Sequence, residues 1–243
     1  MKVELLDVGW MTAPRGIWRQ GEEPPELPIR VPVPAFLIET ESERILVDTG
    51  LHPAAAADAA AHYDGADSVA FFSLEQERSV ADQVDLSTLT MVVLTHLHFD
   101  HVGGLSLIPT SVPVVIQRAE WEGGQDEAAV ARNFLLPRDY ADTGHDLTLV
   151  DGDHDLLGDG SVELLSTPGH TPGHQSVRVG DLVIGADVSH YASGLDDQRF
   201  PPFGDDLDAQ ARSATRLREL RDAGLTVTPG HDPEVLRPGV LNS

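Results

Sequence analysis

Met91-Val92-Val93-Leu94-Thr95-His96-Leu97-His98-Phe99-Asp100-His101-Val102-Gly103-Gly104 joins a short apolar strand to a hexapeptide holding three imidazoles and a carboxylate. In an extended segment His96 and His98 point the same way, a pair able to grip one cation. Asp100 and His101 are neighbours whose side chains diverge, which suits a second cation close by. Gly103-Gly104 lets the backbone turn sharply and admits a close neighbour. Following a buried type of strand, such a cluster reads as a metal site rather than a solvated loop.

Outward from this segment, short apolar runs alternate with turn clusters. Residues 36–39 and 44–47 read as a hairpin whose exit loop is Asp48-Thr49-Gly50. Further strands are expected at 112–116, 162–165, 177–179, 182–184 and 225–227. Helices are expected over 54–61, 74–84, 126–134 and 207–223. In the last, Leu207, Ala211, Ala214, Leu217 and Leu220 recur at helical spacing before a stop at Gly224. Mixed strands and helices imply an α/β class. The Pro-rich stretch 24–34 suits neither a central strand nor a helix, so a surface loop is expected there. The 243 residues suffice for one substantial core, and a single domain over 1–243 is expected.

Composition narrows the partners. With no cysteine, a transition metal must be held by nitrogen and oxygen. Sixteen basic side chains face 40 acidic ones, a net charge of −24 that repels phosphate backbones and anionic lipid. There is no apolar run of about twenty residues. Acids also stand where a signal peptide would be basic and apolar, so neither export nor membrane insertion is expected and a cytoplasmic setting is. The expected partner is a small molecule, with monomer and homodimer both open.

Three later positions extend the ligand set. His170, in Thr167-Pro168-Gly169-His170-Thr171-Pro172-Gly173-His174, follows the run 162–165; Asp187 follows 182–186; His231 follows 225–227. Each lies just beyond the carboxyl end of an apolar run, so folding can bring all of them to one edge. His96, His98 and His170 are assigned to one metal, Asp100, His101 and His231 to the other, with Asp187 as the bridge. Seven ligands are enough for two cations and too many for one tetrahedral ion.

The HxHxDH run, Pro168-Gly169-His170, Asp187 and Gly230-His231 resemble the metallo-β-lactamase superfamily. That resemblance implies a four-layer αββα sandwich with a dinuclear site at one edge of two sheets. Within it, residues 95–104, 113–121 and 168–176 are similar in order and spacing to the N-acyl-homoserine lactone lactonases, enzymes of quorum quenching. The implied activity is hydrolysis of a lactone or ester by a hydroxide bridging two metal ions. Asp100 is expected to shuttle a proton besides ligating, and Asp48 to orient a ligand imidazole. Zinc is the expected metal, with iron, manganese or cobalt also suited to these donors. A thioesterase resembling glyoxalase II, a broad esterase, a phosphotriesterase and a non-catalytic metal-binding sensor are the alternatives.

In the lactonases a tyrosine three residues after the bridging aspartate donates to the substrate carbonyl. Here that offset is His190, with Tyr191 one step further, and both stand as candidates. His174 reads as structural support. Trp10, Met11, Trp18, Phe71 and Phe72 are candidates for an apolar pocket, because the N-terminal segment is too rich in Pro and Gly for a conventional core element. His52, His62, His145 and His154 read as surface residues.

Overall fold

The computed structural model describes residues 1–241. Its strands are β1 (Lys2–Pro14), β2 (Pro28–Glu39), β3 (Arg44–Val47), β4 (Ser73–Glu75), β5 (Met91–Val93), β6 (Val114–Gln117) and β7 (Leu147–Val150), then β8 (His154–Asp155), β9 (Val162–Ser166), β10 (Gln175–Val179), β11 (Leu182–Ile184), β12 (Thr226–Thr228) and β13 (Gly239–Leu241). The larger sheet runs β13-β1-β2-β3-β5-β6-β7 with β4 also on β1, and the smaller runs β12-β11-β10-β9-β8.

Because strand side chains alternate between faces, each apolar run supplies two cores. Val3, Leu5, Phe36, Ile38, Ile45, Val47 and Val93 point between the sheets, where they meet Val162, Leu164, Val177, Val179, Leu182 and Ile184. Their neighbours Leu6, Leu37, Leu46, Val92 and Leu94 face the other way, into a core shared with Ala55, Phe99 and Val102 of short helices. Beyond the smaller sheet, Leu165 and Val183 pack on Ala214 and Leu217 of the helix Leu207–Asp222. The layers are therefore helix, sheet, sheet, helix, the expected sandwich.

Three of the expected helices form. Leu207–Asp222 starts at Asp206, whose side chain accepts from the Ala209 amide at 2.9 Å. Residues 126–134 give Glu127–Arg132, capped likewise by Asp126. The Ala-rich stretch breaks into Pro53–Ala57 and Ala59–His62, because Asp58 turns extended to cap the second piece.

Three expectations change. The helix at 74–84 is absent: Leu74 pairs with Met11 in β4, and Val80–Asp82 makes one 3₁₀ turn. Val80 and Val84 are buried four residues apart, a helix-like spacing that here falls on irregular chain. The Pro-rich stretch is not a surface loop, since its second half is the start of β2. Pro28, Pro32 and Pro34 sit at even spacing on the part of β2 that pairs with β1 but lies short of β3, whose register begins at Phe36. Their nitrogens share one edge, so the missing N–H groups break no second ladder. The N-terminal segment, in turn, is a 13-residue core strand, with Gly9 at φ 144 taking up the irregularity between Asp7 and Trp10. Among the described residues no helix is long and apolar enough to cross a membrane.

The topology explains why ligands gather. β3 and β5 are parallel, as are β11 and β12, and β9 runs with β11 because both oppose β10. The exits at Asp48, Thr95, Thr167, Asp187 and His231 thus share one edge. The hexapeptide is propped from the helical side, where the Tyr63 ring meets Phe99 edge-on at 6.1 Å and its hydroxyl donates to Asp139 Oδ2 at 2.9 Å.

Burial pushes the Asp139 carboxyl up to about 7, against the downward pull of the Tyr63 bond and Arg138. The folded state therefore keeps a proton that the unfolded chain releases at lower pH. The associated stability is present below the ordinary aspartate range and is lost as pH rises through about 7. Asp139→Asn keeps an acceptor for Tyr63 without that loss. At fixed metal loading, its thermal midpoint should gain a few degrees on the wild type between pH 5 and pH 8, and a constant difference across that range would refute the assignment.

Candidate metal centre

Asp48 leaves β3 with φ 60, a left-handed conformation that costs a non-glycine residue about 1–2 kcal/mol. Its carboxylate accepts from Thr95 N and Thr95 Oγ1, both at 2.8 Å, and from His101 Nδ1 at 2.8 Å. One buried carboxylate thus ties the end of β3 to the end of β5 and sets a ring within the hexapeptide.

Hydrogen bookkeeping then decides which way each ring nitrogen faces. Thr95 Oγ1 gives its hydrogen to Asp48, so it accepts from His96 Nδ1 at 3.0 Å. His98 Nε2 donates to the Asn133 carbonyl at 2.8 Å, and His231 Nδ1 to the Pro32 carbonyl at 2.8 Å. Each of these rings has spent its hydrogen on the fold, as has His101, and when neutral turns a bare lone pair inward.

The inward atoms crowd together. His98 Nδ1 lies 3.0 Å from His96 Nε2 and 2.9 Å from His170 Nε2, which is 3.3 Å from Asp187 Oδ2. On the other side His231 Nε2 is 3.3 Å from Asp187 Oδ2 and 3.4 Å from Asp100 Oδ2. His101 Nε2 stands 3.5 Å from Asp187 Oδ1 and 3.6 Å from Asp100 Oδ2. Both His101 Nε2 and Asp187 Oδ1 are buried without a hydrogen-bond partner. Lone pairs at such separations repel unless positive charge sits between them.

The electrostatics agree. Burial lowers His98 to about 4 and His170 to about 3, and holds His96 well below its ordinary value. Burial also opposes a proton on His101 and His231, yet Asp187 and Asp100 outweigh it and raise both. The carboxylates therefore call for positive charge at their centre. The donors form three overlapping groups suited to divalent metal: His96, His98, His170 and Asp187; Asp100, His101 and His231; and Asp187, His190 and His231. All seven residues named as ligands from the sequence are brought together.

A family model described as the metallo-beta-lactamase superfamily matches residues 28–231. The chain belongs to that superfamily. An N-acyl homoserine lactonase AttM of Rhizobium radiobacter is 30% identical over 221 residues, covering 84% of this chain and 83% of its own. An N-acyl homoserine lactonase of a Bacillus species is 31% identical over 202 residues, covering 78% and 76%. Among solved structures, an N-acyl homoserine lactone hydrolase with N-hexanoyl-L-homoserine product at its catalytic metal center is 25% identical, with a TM-score of 0.80. That alignment covers 96% of this chain and 94% of the other.

Around this metallo-β-lactamase centre, His174 supports rather than joins the donor set. Its Nδ1 bonds Thr167, and its Nε2 accepts the Asp187 amide at 3.1 Å. Position 190, not 191, faces the site. Ser189 is extended, so successive side chains take opposite sides; His190 Nε2 comes within 3.1 Å of Asp187 Oδ2, whereas Tyr191 is not among the cavity-lining residues.

Two contributors escape a sequence reading. Glu120 is fully buried and accepts from Leu97 N at 3.0 Å and Gly173 N at 2.8 Å, joining the hexapeptide to the loop that carries His170. Burial raises its carboxyl to about 7 against those bonds. The two amides that it joins are backbone groups, which leave no side-chain pattern to find. Trp18 is the other, through its carbonyl, which accepts from His190 Nδ1 at 3.2 Å.

The centre opens into a cavity of about 260 Å³. Met11, Trp18, Phe71 and Phe72, expected as pocket residues, line it together with Phe99 and Phe203. Trp10 does not: its indole donates to Asp7 and lies under the Arg30 guanidinium. No arginine or lysine is among the lining residues.

Close backbone approach constrains the bridge. A Cβ at Gly230 would fall on Asp187 Oδ1. Gly230→Ala is therefore expected to retain a native far-ultraviolet spectrum and lose at least one metal ion per chain after dialysis. Full retention of metal would show that Asp187 has room to move.

Proposed function

We propose that this chain is a metal-dependent lactonase that hydrolyses N-acyl homoserine lactones and so removes a quorum signal. The observation that supports this most directly is the joining of the two-cation donor set to an aromatic cavity without cationic side chains. A neutral lactone with an apolar acyl chain suits those walls, and an anionic thioester or nucleotide finds no basic side chain on them.

Two divalent ions held by these donors would polarise a carbonyl and lower the pKa of a water. The protein's own groups do the rest. Trp18, Phe72 and Phe99 exclude bulk water and seat the acyl chain beside the donors. Asp100 is buried yet lines the cavity, so its carboxylate can reach both the donor cluster and a bound ester. In the overall reaction a water oxygen bonds to the carbonyl carbon and the ring C–O bond breaks. Asp100 carries to the departing ring oxygen the proton that the water gives up. Asp48, through His101, and Glu120, through Leu97 and Gly173, hold the loops still while this happens.

Hydrolysis is measured by pH-stat on acyl-homoserine lactones of several chain lengths, simple lactones, thioesters and phosphotriesters. The reading expects acyl-homoserine lactones to be opened fastest, and metal analysis to find two ions per chain. A protein that cleaves thioesters or phosphotriesters and leaves every lactone intact would overturn it. Asp100→Asn should lower lactone turnover by about 10²- to 10⁴-fold with the fold unchanged, and near-normal turnover would remove the proton-carrying role.

A further inference from the structure

His190 has the same bonding pattern as the rings assigned to metal. It is buried, 5% exposed, three residues after Asp187. Its Nδ1 lies 3.2 Å from the Trp18 carbonyl, an atom that can only accept. With the ring hydrogen on that side, Nε2 keeps a bare lone pair. That atom stands 3.1 Å from Asp187 Oδ2, another acceptor. His231 repeats this arrangement: Nδ1 on the Pro32 carbonyl, Nε2 at 3.3 Å from the same Asp187 oxygen.

We propose that His190 is an eighth protein ligand, binding through Nε2 the cation held by His231 and Asp187. One ligand atom each from His190, His231 and Asp187 lies within 4.8 Å of the others. Nitrogen and oxygen ligands about 2.1 Å from a common ion stand roughly 3 Å apart, the spacing found here. Trp18 fixes the ring from two directions, giving its carbonyl to Nδ1 and setting its indole edge-on at 5.4 Å. This proposal rests on the two-ion reading above but not on the identity of the substrate.

The test uses cobalt(II) as the probe ion in the full chain, with wild type, His190→Ala and Tyr191→Phe as control. Stepwise affinities come from chelator competition, and the ligand field from the visible spectrum. The expected result is an unchanged first affinity and a second weakened at least about tenfold in His190→Ala, since even outer-shell partners of metal ligands are worth that much. The spectrum of the second ion should shift, with Tyr191→Phe matching wild type. Unchanged affinities and spectrum would overturn the proposal. Should His190→Ala fail to fold, nitrogen NMR of zinc-loaded wild type decides: a hydrogen on His190 Nε2 would overturn it, and a hydrogen-free, metal-shifted Nε2 would support it. A protein that binds fewer than two ions overturns it as well. Failure to open lactones, with these metal results intact, would sink the proposed function alone.

Discussion

A buried imidazole that has given its one hydrogen to the backbone has nothing but a lone pair for the interior. The whole edge of this sandwich is organised by that constraint. Thr95, Asn133, Asp48 and Pro32 each take a hydrogen from the outside of the cluster, and the inside is left with acceptors facing acceptors at about 3 Å. The apparatus that builds the centre is thus the outer ring of carbonyls and oxygens as much as the rings themselves. Positive charge completes the arrangement rather than perturbing it.

Holding that outer ring in place has local costs. Asp48 sits at φ 60 and Ala186, immediately before the bridging aspartate, at φ 46. Both are left-handed, and both flank groups that touch the cluster. Glu120 is kept in a fully buried position so that two loops far apart in sequence, at Leu97 and Gly173, share one carboxylate. The stability that allows these local departures comes from the three apolar clusters on either side of the sheets.

Most of the layer order and the clustering of the candidate ligands is legible in the sequence, for a common reason. Apolar runs ending in His or Asp carry both the strand and the site, and a parallel arrangement must put such ends together. The parts that are not legible fail for definite reasons. Val80 and Val84 imitate a helix because burial four residues apart also arises across a 3₁₀ turn. Pro28, Pro32 and Pro34 argue against a strand until the reach of β3 is known, because proline is excluded by a second partner and not by extension itself. Glu120 and the Trp18 carbonyl act through main-chain atoms, to which residue identity is nearly blind. At positions 190 and 191 the sequence offers two side chains, and the extended Ser189 decides between them.

The double-sided strands raise a question of alignment. Over residues 35–38 of β2 and 45–47 of β3 alternate residues enter two different cores, and both sets are aliphatic or aromatic. A slip of one residue would exchange the faces without exposing an apolar side chain, so hydrophobicity alone discriminates poorly between neighbouring registers. The two bonds from Thr95 to Asp48 do discriminate. They form in one alignment of β3 against β5, and any other strands a carboxylate in the interior. The contacts that shape the candidate metal centre therefore also act as the key that selects the correct pairing of the sheet.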